Sequence, residues 1–137
     1  MTSTEFRTLL SALADGWTRR DYAFVASHFA EDVRYADPMR YALHGRAALL
    51  AFFANDDGMP QSITWHTILF DEVQQLGAAE YTYAGTHQYH GTVLVRVHTG
   101  LITHWREYQH TDDRPWAAFA DATMFPEQHV RGDRADG

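Results

Sequence analysis

The first third of the chain spaces its hydrophobic residues three or four positions apart, as amphipathic helices do. The first such segment follows a Ser/Thr-rich start and should end near Asp15-Gly16; its apolar positions are Phe6, Leu9, Leu10, Leu13 and Trp17. A second helix begins after Asp21, which can cap it, and ends at 30–32. Gly45 opens a third helix over 46–55. The pattern therefore predicts three helices in the N-terminal part of the chain.

The rest of the chain favours strands. A short strand over 33–37 ends before Pro38, because a residue that precedes proline is disfavoured in the helical conformation. Four more strands are predicted, over 62–75, 78–90, 92–99 and 101–111, separated near Gly77, Gly91 and Gly100. Their breaks are narrow, so consecutive strands should be antiparallel neighbours. The order predicts an α+β fold in which the helices cover a curved antiparallel sheet, forming a cone with one hollow end.

Length and composition suit one domain with a lined cavity. The 137 residues are close to the size of a single domain, which we expect over 1–125, with a polar and disordered tail over 126–137. Hydrophobic residues make up 45% of the chain and aromatic residues 14%, more aromatic side chains than close packing alone usually needs. This surplus predicts a pocket for a small, hydrophobic molecule.

Charge and cysteine content exclude several classes of function. The formal charge is −7, with no basic run, which argues against a nucleic-acid or anionic-membrane partner. The absence of cysteine excludes disulfides and thiolate sites. No apolar run approaches the roughly 18 residues that a membrane span needs, and the N-terminus does not resemble a signal peptide. We expect a cytoplasmic protein.

Three runs of sequence carry a family resemblance: FAEDVRYADP over 29–38, HGRAAL over 44–49 and GLITHWREY over 100–108. Together they resemble the SnoaL-like branch of the nuclear transport factor 2-like superfamily, over roughly residues 6 to 111. The resemblance implies a cystatin-like cone and a homodimer that pairs through the outer face of its sheet. Members of this superfamily include isomerases, cyclases, dehydratases, epoxide hydrolases and proteins without catalysis, so the likeness is specific for the fold alone.

Two branches of the superfamily bear on particular positions. In ketosteroid isomerases the acid of an Asp-Pro pair is the general base, which Asp37 matches, but the oxyanion donors of that branch would fall near Leu13 and near Val93 or Leu94. In limonene epoxide hydrolases a Tyr-x-Asn motif holds a water molecule and a Trp-Arg-Asp-Tyr motif supplies the base. Residues 35–37 and 105–108 resemble these two motifs, whereas the Arg-x-Asp pair of that branch is missing.

Two carboxylates are the first candidates for chemistry. Strand alternation places Trp105, Glu107 and Gln109 on one face, which the resemblance turns toward the pocket. A carboxyl group in an aromatic pocket is poorly solvated, so its pKa rises and it can act as a general acid or base near neutral pH. Asp37 is the second such group. The alternative is that Asp37 braces the turn before Pro38 and that Glu107 pairs with an arginine, Arg96 or Arg34.

A second group of candidates would position the substrate. Tyr35 and Tyr83 could orient a polar group of the ligand, His87 could assist proton transfer, and Trp105 could form a wall of the pocket. The expected parity turns Tyr83 and His87 inward, together with Tyr81, and a slip of one residue would reverse it. Phe53 is a candidate contact from the third helix, with a purely core position as its alternative.

The nine histidines do not form a convincing metal site. His104 and His110 lie on the opposite strand face from Glu107, and the pair His87 and His90 is spaced three apart, which a regular strand cannot use for chelation. We expect neither a metal nor a cofactor. The leading hypothesis is an enzyme that moves protons on a hydrophobic or polyketide-like substrate by isomerisation, cyclisation, dehydration or epoxide hydration. The alternatives are a non-catalytic binding protein and a structural dimerisation domain.

Overall fold

The computed structural model describes residues 1–121, which contain four helices and six strands. The helices are α1 (Ser3–Arg19), α2 (Tyr22–Ala26), α3 (Arg46–Ala54) and α4 (Trp116–Ala120). The strands are β1 (Phe29–Asp37), β2 (Tyr41–His44), β3 (Ser62–Asp71), β4 (Leu76–Ala84), β5 (Gln88–His98) and β6 (Leu101–Thr111). The predicted polar tail over 126–137 lies outside these described residues.

All six strands form one sheet in the order β2-β1-β6-β5-β4-β3. The meander from β3 to β6 is antiparallel, as predicted, whereas β1 lies parallel to β6. This parallel contact aligns Tyr35 with Trp105 and brings the strand that carries Asp37 next to the strand that carries Glu107. The prediction of an α+β fold is confirmed.

The core lies between α1, α2 and α3 and the inner face of the sheet. The five apolar positions predicted for the first helix are all buried, and they meet Val33, Val93, Val95 and Ile102 from the sheet. Asp21 caps α2, as predicted, with its side chain accepting a hydrogen bond from the backbone N–H of Phe24. None of the helices within residues 1–121 is long and apolar enough to cross a membrane.

Two helix ends differ from the prediction. The first helix continues through Gly16 to Arg19, because Gly16 lets α1 approach Val25 of α2 closely: a Cβ at Gly16 would lie 2.6 Å from a Val25 methyl group. The second helix ends at Ala26, and β1 begins at Phe29 rather than at residue 33. Burial of Phe29 and of the neighbouring apolar residues on the sheet favours the longer strand.

The sheet also differs from the prediction near two glycines. The hairpin between β4 and β5 turns at residues 85–87, and Gly91, predicted to separate two strands, lies within β5 opposite Tyr81. Gly77 likewise lies within β4, where it makes room for the ring of Phe6. Both glycines lie where another side chain packs closely against the strand. A glycine needed for close packing and a glycine needed for a turn look the same in the sequence. Gly100 does lie in a turn, with a φ of 81°.

Candidate functional site

A cavity of about 360 Å³ opens between the helices and the inner face of the sheet. Eleven of its eighteen lining residues are aromatic, contributed by α1, α2, α3 and every strand of the sheet. The polar lining residues divide into a rim, which includes Arg40, Asp56 and Gln61, and a floor formed by Glu107 and Gln109. A cavity with this volume and an aromatic lining is suited to a small hydrophobic molecule.

Glu107 is the central polar group of the floor. It lies on β6, its exposed fraction is 5%, and its face of the strand also carries Trp105 and Gln109, as strand alternation predicts. Oε1 accepts a hydrogen bond from the Tyr41 hydroxyl at 2.5 Å, and Oε2 accepts one from the Tyr81 hydroxyl at 2.9 Å. Glu107 is thus a buried carboxyl group held by two phenols.

No cation balances this carboxyl group within the described part of the chain: the ion pairs there do not involve Glu107. The alternative in which Glu107 pairs with Arg96 or Arg34 is wrong, because both arginines lie with His104 in an exposed groove on the other side of the sheet. Two more groups lie beside Glu107, the Tyr35 hydroxyl and the indole N–H of Trp105. The Trp105 nitrogen is itself buried and has no hydrogen-bond partner of its own among residues 1–121.

Burial and hydrogen bonding act in opposite directions on Glu107. Loss of solvation raises the pKa of its carboxyl group, whereas hydrogen bonds from the surrounding hydroxyls, chiefly those of Tyr41 and Tyr81, lower it. The effect of burial is the larger one, so the pKa of Glu107 is raised. The same burial, together with the nearby charge of Glu107, raises the pKa of the Tyr41 and Tyr81 hydroxyls. Both phenols therefore remain protonated and act as donors to the carboxyl group.

Gly91 explains how Tyr81 reaches Glu107. Tyr81 belongs to β4 and Glu107 to β6, so the Tyr81 ring must cross β5, where the residue directly opposite Tyr81 is Gly91. A Cβ at Gly91 would lie 2.7 Å from the Tyr81 hydroxyl oxygen, closer than such atoms approach. The absence of a side chain at this position makes the hydrogen bond possible.

Asp37 is buried, with an exposed fraction of 2%, but it does not line the cavity. Its Oδ1 accepts a hydrogen bond from the backbone N–H of Met39 at 3.0 Å, and its Oδ2 lies 3.7 Å from Nε of Arg40. These contacts brace the turn after Pro38, which agrees with the alternative interpretation. Oδ2 also accepts a hydrogen bond from Nε2 of Gln109 at 3.2 Å, and this bond links Asp37 to the floor of the cavity.

Four other predicted site residues line the cavity: Tyr35, Phe53, Tyr83 and Trp105. Tyr35 stacks on Trp105 with ring centroids 5.6 Å apart and an interplanar angle of 3°. Phe53 is buried and meets Trp17 edge to face at 5.6 Å, so it belongs to the core and to the wall of the cavity at once. The Tyr83 hydroxyl, nearer the rim, donates a hydrogen bond to Oε1 of Gln61 at 2.8 Å.

His87 does not reach the cavity. The expectation that it faces inward is wrong, because the hairpin turns at residues 85–87 and the alternation of β4 ends before His87, which is exposed. Two other histidines, His66 and His90, lie on the outer face of the sheet against Trp116 of α4. Within residues 1–121 no group of three or more His, Asp or Glu side chains could hold a metal ion.

The sequence did not indicate Tyr41 as a residue of the site, and it placed Tyr81 and Gln109 on faces expected to turn toward the pocket without predicting their contacts there. Tyr41 lies in β2, which the hydrophobic pattern does not predict. Tyr81 shares the inward parity of Tyr83, as expected, and a glycine opposite an aromatic residue is the signal that could have indicated its contact with Glu107. Gln109 shares the face of Glu107, so its position could be predicted, but its contact with Asp37 could not.

Comparison with known proteins supports the family. The model of the SnoaL-like domain matches residues 10–105. Similar solved structures include a candidate ketosteroid isomerase from Kribbella flavida, with 24% identity, a TM-score of 0.68 and 82% of each chain covered. An LEH-like epoxide hydrolase from M. tuberculosis is 20% identical with a TM-score of 0.69, covering 78% of this chain and 84% of that chain.

A candidate polyketide cyclase from Xanthomonas campestris is 19% identical with a TM-score of 0.65, covering 77% of this chain and 90% of that chain. No curated protein matches the sequence significantly. At these identities the solved structures establish a shared fold and leave the chemistry to the site. Because the family model covers well over half of the chain, the protein belongs to the SnoaL-like domain family, with the cystatin-like α+β cone of its structural neighbours.

Proposed function

We propose that the protein is an enzyme that transfers protons within a small hydrophobic substrate, with Glu107 as the acid and base. The observation that carries this proposal is a carboxyl group buried in an aromatic cavity without a cationic partner among the described residues. A raised pKa brings such a group closer to neutral pH, where it can both accept and return a proton. Residues 105–108 resemble the motif that supplies the base in limonene epoxide hydrolases, which supports the same assignment.

The reaction would use the cavity in a simple sequence. The aromatic walls hold the substrate and exclude water, and the Glu107 carboxylate removes a proton from a carbon or a hydroxyl group of the substrate. The hydroxyls of Tyr41 and Tyr81 keep the carboxylate in place, and the protonated group then returns its proton elsewhere on the molecule. Isomerisation, cyclisation and dehydration fit this scheme, with dehydration returning the proton to the hydroxyl group that leaves as water. Epoxide hydration would need one water molecule beside the substrate: Glu107 would take a proton from that water as its oxygen bonds to an epoxide carbon, and the proton would go to the epoxide oxygen as its C–O bond breaks. Asp37 and His87 do not line the cavity, so we assign the proton to Glu107 alone.

The alternative is a binding protein of the same fold that performs no reaction. One observation favours it: the resemblance places the oxyanion donors of isomerases near Leu13 and near Val93 or Leu94, none of which carries a donor side chain, and Leu13 and Val93 are fully buried in the core. The phenols nearest the floor donate to Glu107 instead. Under this proposal, the aromatic cavity holds or senses a small molecule.

We also propose that two copies of the chain pair through the outer face of the sheet. Leu69 and Tyr108 are exposed on that face, with exposed fractions of 65% and 50%. Light scattering at micromolar concentration tests this proposal, and a monomer under those conditions would reject it.

A substrate panel with matched variants tests catalysis. The parent protein is incubated with hydrophobic epoxides, β,γ-enones and β-hydroxy ketones, and products are followed by mass spectrometry. Replacing Glu107→Gln keeps the size of the side chain and should lower the turnover of any accepted substrate about 100-fold or more. Glu80→Gln is the control, because Glu80 lies on the outer face of the sheet, and it should leave turnover within about twofold. Unchanged turnover in Glu107→Gln would refute the assignment of Glu107.

A further inference from the structure

The floor of the cavity has few hydrogen-bond donors to offer a ligand. Each phenol has one hydroxyl hydrogen, and those of Tyr41 and Tyr81 are directed at Glu107. The Tyr35 hydroxyl also faces this carboxyl group, and the Trp105 nitrogen beside it is buried. Whenever Glu107 is ionised, the polar groups of the floor that a ligand can reach therefore act as acceptors.

The amide of Gln109 belongs to the same floor, and Asp37 determines which way it points. A carboxylate can only accept hydrogen bonds, so the end of the amide that faces Asp37 Oδ2 at 3.2 Å must be Nε2, the donor. The opposite orientation would set two acceptor oxygens against each other. The same Nε2 lies 3.4 Å from the Tyr41 hydroxyl oxygen, which can accept a second hydrogen bond. Asp37 thus fixes the amide although it does not line the cavity itself.

With Nε2 committed in this way, the oxygen of the amide is the end left for a ligand. Gln109 Oε1 accepts no hydrogen bond from any residue in the described range 1–121 and is not enclosed by protein atoms, and Gln109 lines the cavity. Glu107 and Gln109 therefore place acceptor oxygens close together on one strand face.

We propose that Asp37 is a positioning residue that, through the amide of Gln109, makes the cavity select ligands that bring a hydrogen-bond donor, and that its ligands are hydrophobic alcohols. The inference rests on the cavity of the proposed function but does not depend on catalysis. A hydroxyl group can donate to Gln109 Oε1, whereas a ketone of the same shape leaves that oxygen without a donor. Among the reactions considered, dehydration of an alcohol then becomes the favoured one.

Asp37→Asn offers a reversal of this preference. The backbone N–H of Met39 donates to Oδ1 of Asp37, so an asparagine would keep its amide oxygen there and turn Nδ2 toward Gln109. Gln109 would then turn Oε1 to accept from Nδ2, and its own Nε2 would face the ligand as a donor. The cavity of Asp37→Asn should therefore prefer the ketone.

Two probes of equal size test the inference: 4-tert-butylcyclohexanol and 4-tert-butylcyclohexanone. Their dissociation constants are measured by NMR titration of the tryptophan indole signals at about pH 8. One neutral hydrogen bond is worth between about twofold and tenfold in affinity, so the parent should bind the alcohol that much more tightly. Gln109→Leu should abolish the difference, and Asp37→Asn should reverse it.

Asp32→Asn is the control, because Asp32 lies exposed on the same strand as Asp37 and should keep the parent's preference. The inference is overturned if the parent favours the ketone, treats both probes alike or binds neither, or if Gln109→Leu keeps the preference. Gln109→Leu also decides the matter should Asp37→Asn fail to fold. A preference for the alcohol without turnover of any substrate would support this inference and refute the proposed catalysis. Turnover that depends on Glu107, without a preference for the alcohol, would support the proposed catalysis and refute this inference.

Discussion

Replacing Gly91→Ala should disturb the site from a position that carries no functional group. The new Cβ would lie 2.7 Å from the Tyr81 hydroxyl oxygen and 2.9 Å from the backbone oxygen of Tyr108, and the second atom cannot retreat because it belongs to the central strand β6. We therefore expect the Tyr81 ring to move and its hydrogen bond to Glu107 to break.

The magnitude follows from three contributions. Overpacking costs about 1–3 kcal/mol, and loss of a hydrogen bond to a buried carboxylate costs about 1.5–3 kcal/mol. Alanine also lowers the conformational entropy of the unfolded chain, which stabilises the folded state by about 0.4–1 kcal/mol. The net destabilisation is about 1.5–5.6 kcal/mol, a large share of the roughly 5–15 kcal/mol by which a typical domain is stable.

Urea unfolding of a double-mutant cycle measures this effect. The destabilisation by Gly91→Ala is measured in the parent and in a Tyr81→Ala background, in which the aromatic ring that the new methyl group would contact is absent. We expect the cost of Gly91→Ala to be at least about 1 kcal/mol smaller in the second background, because neighbouring sites are not additive. A cost below about 0.5 kcal/mol in the parent, or equal costs in both backgrounds, would refute the packing that we assign to Gly91.

Three further variants test single interactions. The folded protein keeps the Glu107 carboxyl group protonated at pH values above the unfolded pKa of 4.5, so the stability that this group contributes falls as pH rises from 4.5 toward its folded pKa, by at most about 1.4 kcal/mol per pH unit. Glu107→Gln should remove this fall, which urea unfolding at several pH values measures. An unchanged dependence of stability on pH would contradict the raised pKa. Tyr41→Phe should destabilise the fold by about 1–2 kcal/mol and raise the pKa of Glu107 further, measured by carboxyl NMR, and a lowered pKa would contradict the hydrogen bond. Asp21→Ala should cost about 1 kcal/mol in thermal unfolding by removing the cap of α2, and no change would show that the cap is redundant.

The fold class was predictable because local patterns agree with the tertiary structure. Hydrophobic spacing changes from helical to β-rich after residue 61, and that change alone separates the helical layer from the meander. Alternation along β6 groups Glu107 with Trp105 and Gln109 on one of two possible faces, and the family resemblance selects that face as the inner one. The most important side chain of the site was therefore within reach of the sequence.

Other features depend on contacts between residues that are far apart in the chain. The apolar pair at 29–30 is compatible with either a helix or a strand, and only its burial beside β6 selects β1. The role of Asp37 depends on Gln109, 72 positions later, which no local pattern links to it. His87 was misplaced for a simpler reason, since a hairpin that turns a few residues earlier than expected moves one side chain from the cavity to the solvent.

The central claim is that Glu107 is a carboxyl group deprived of water in the cavity, and its pKa tests that claim most directly. Carbon-13 labelling of the six glutamate carboxyl groups, with Glu107→Gln to identify the missing signal, gives the titration midpoint of this residue by NMR. We expect the midpoint of Glu107 above the ordinary value of 4.5 and above those of Glu5 and Glu72, whose pKa values are lowered by hydrogen bonds. A midpoint at or below 4.5 would mean that Glu107 is solvated or charge-paired, and it would contradict the proposed chemistry.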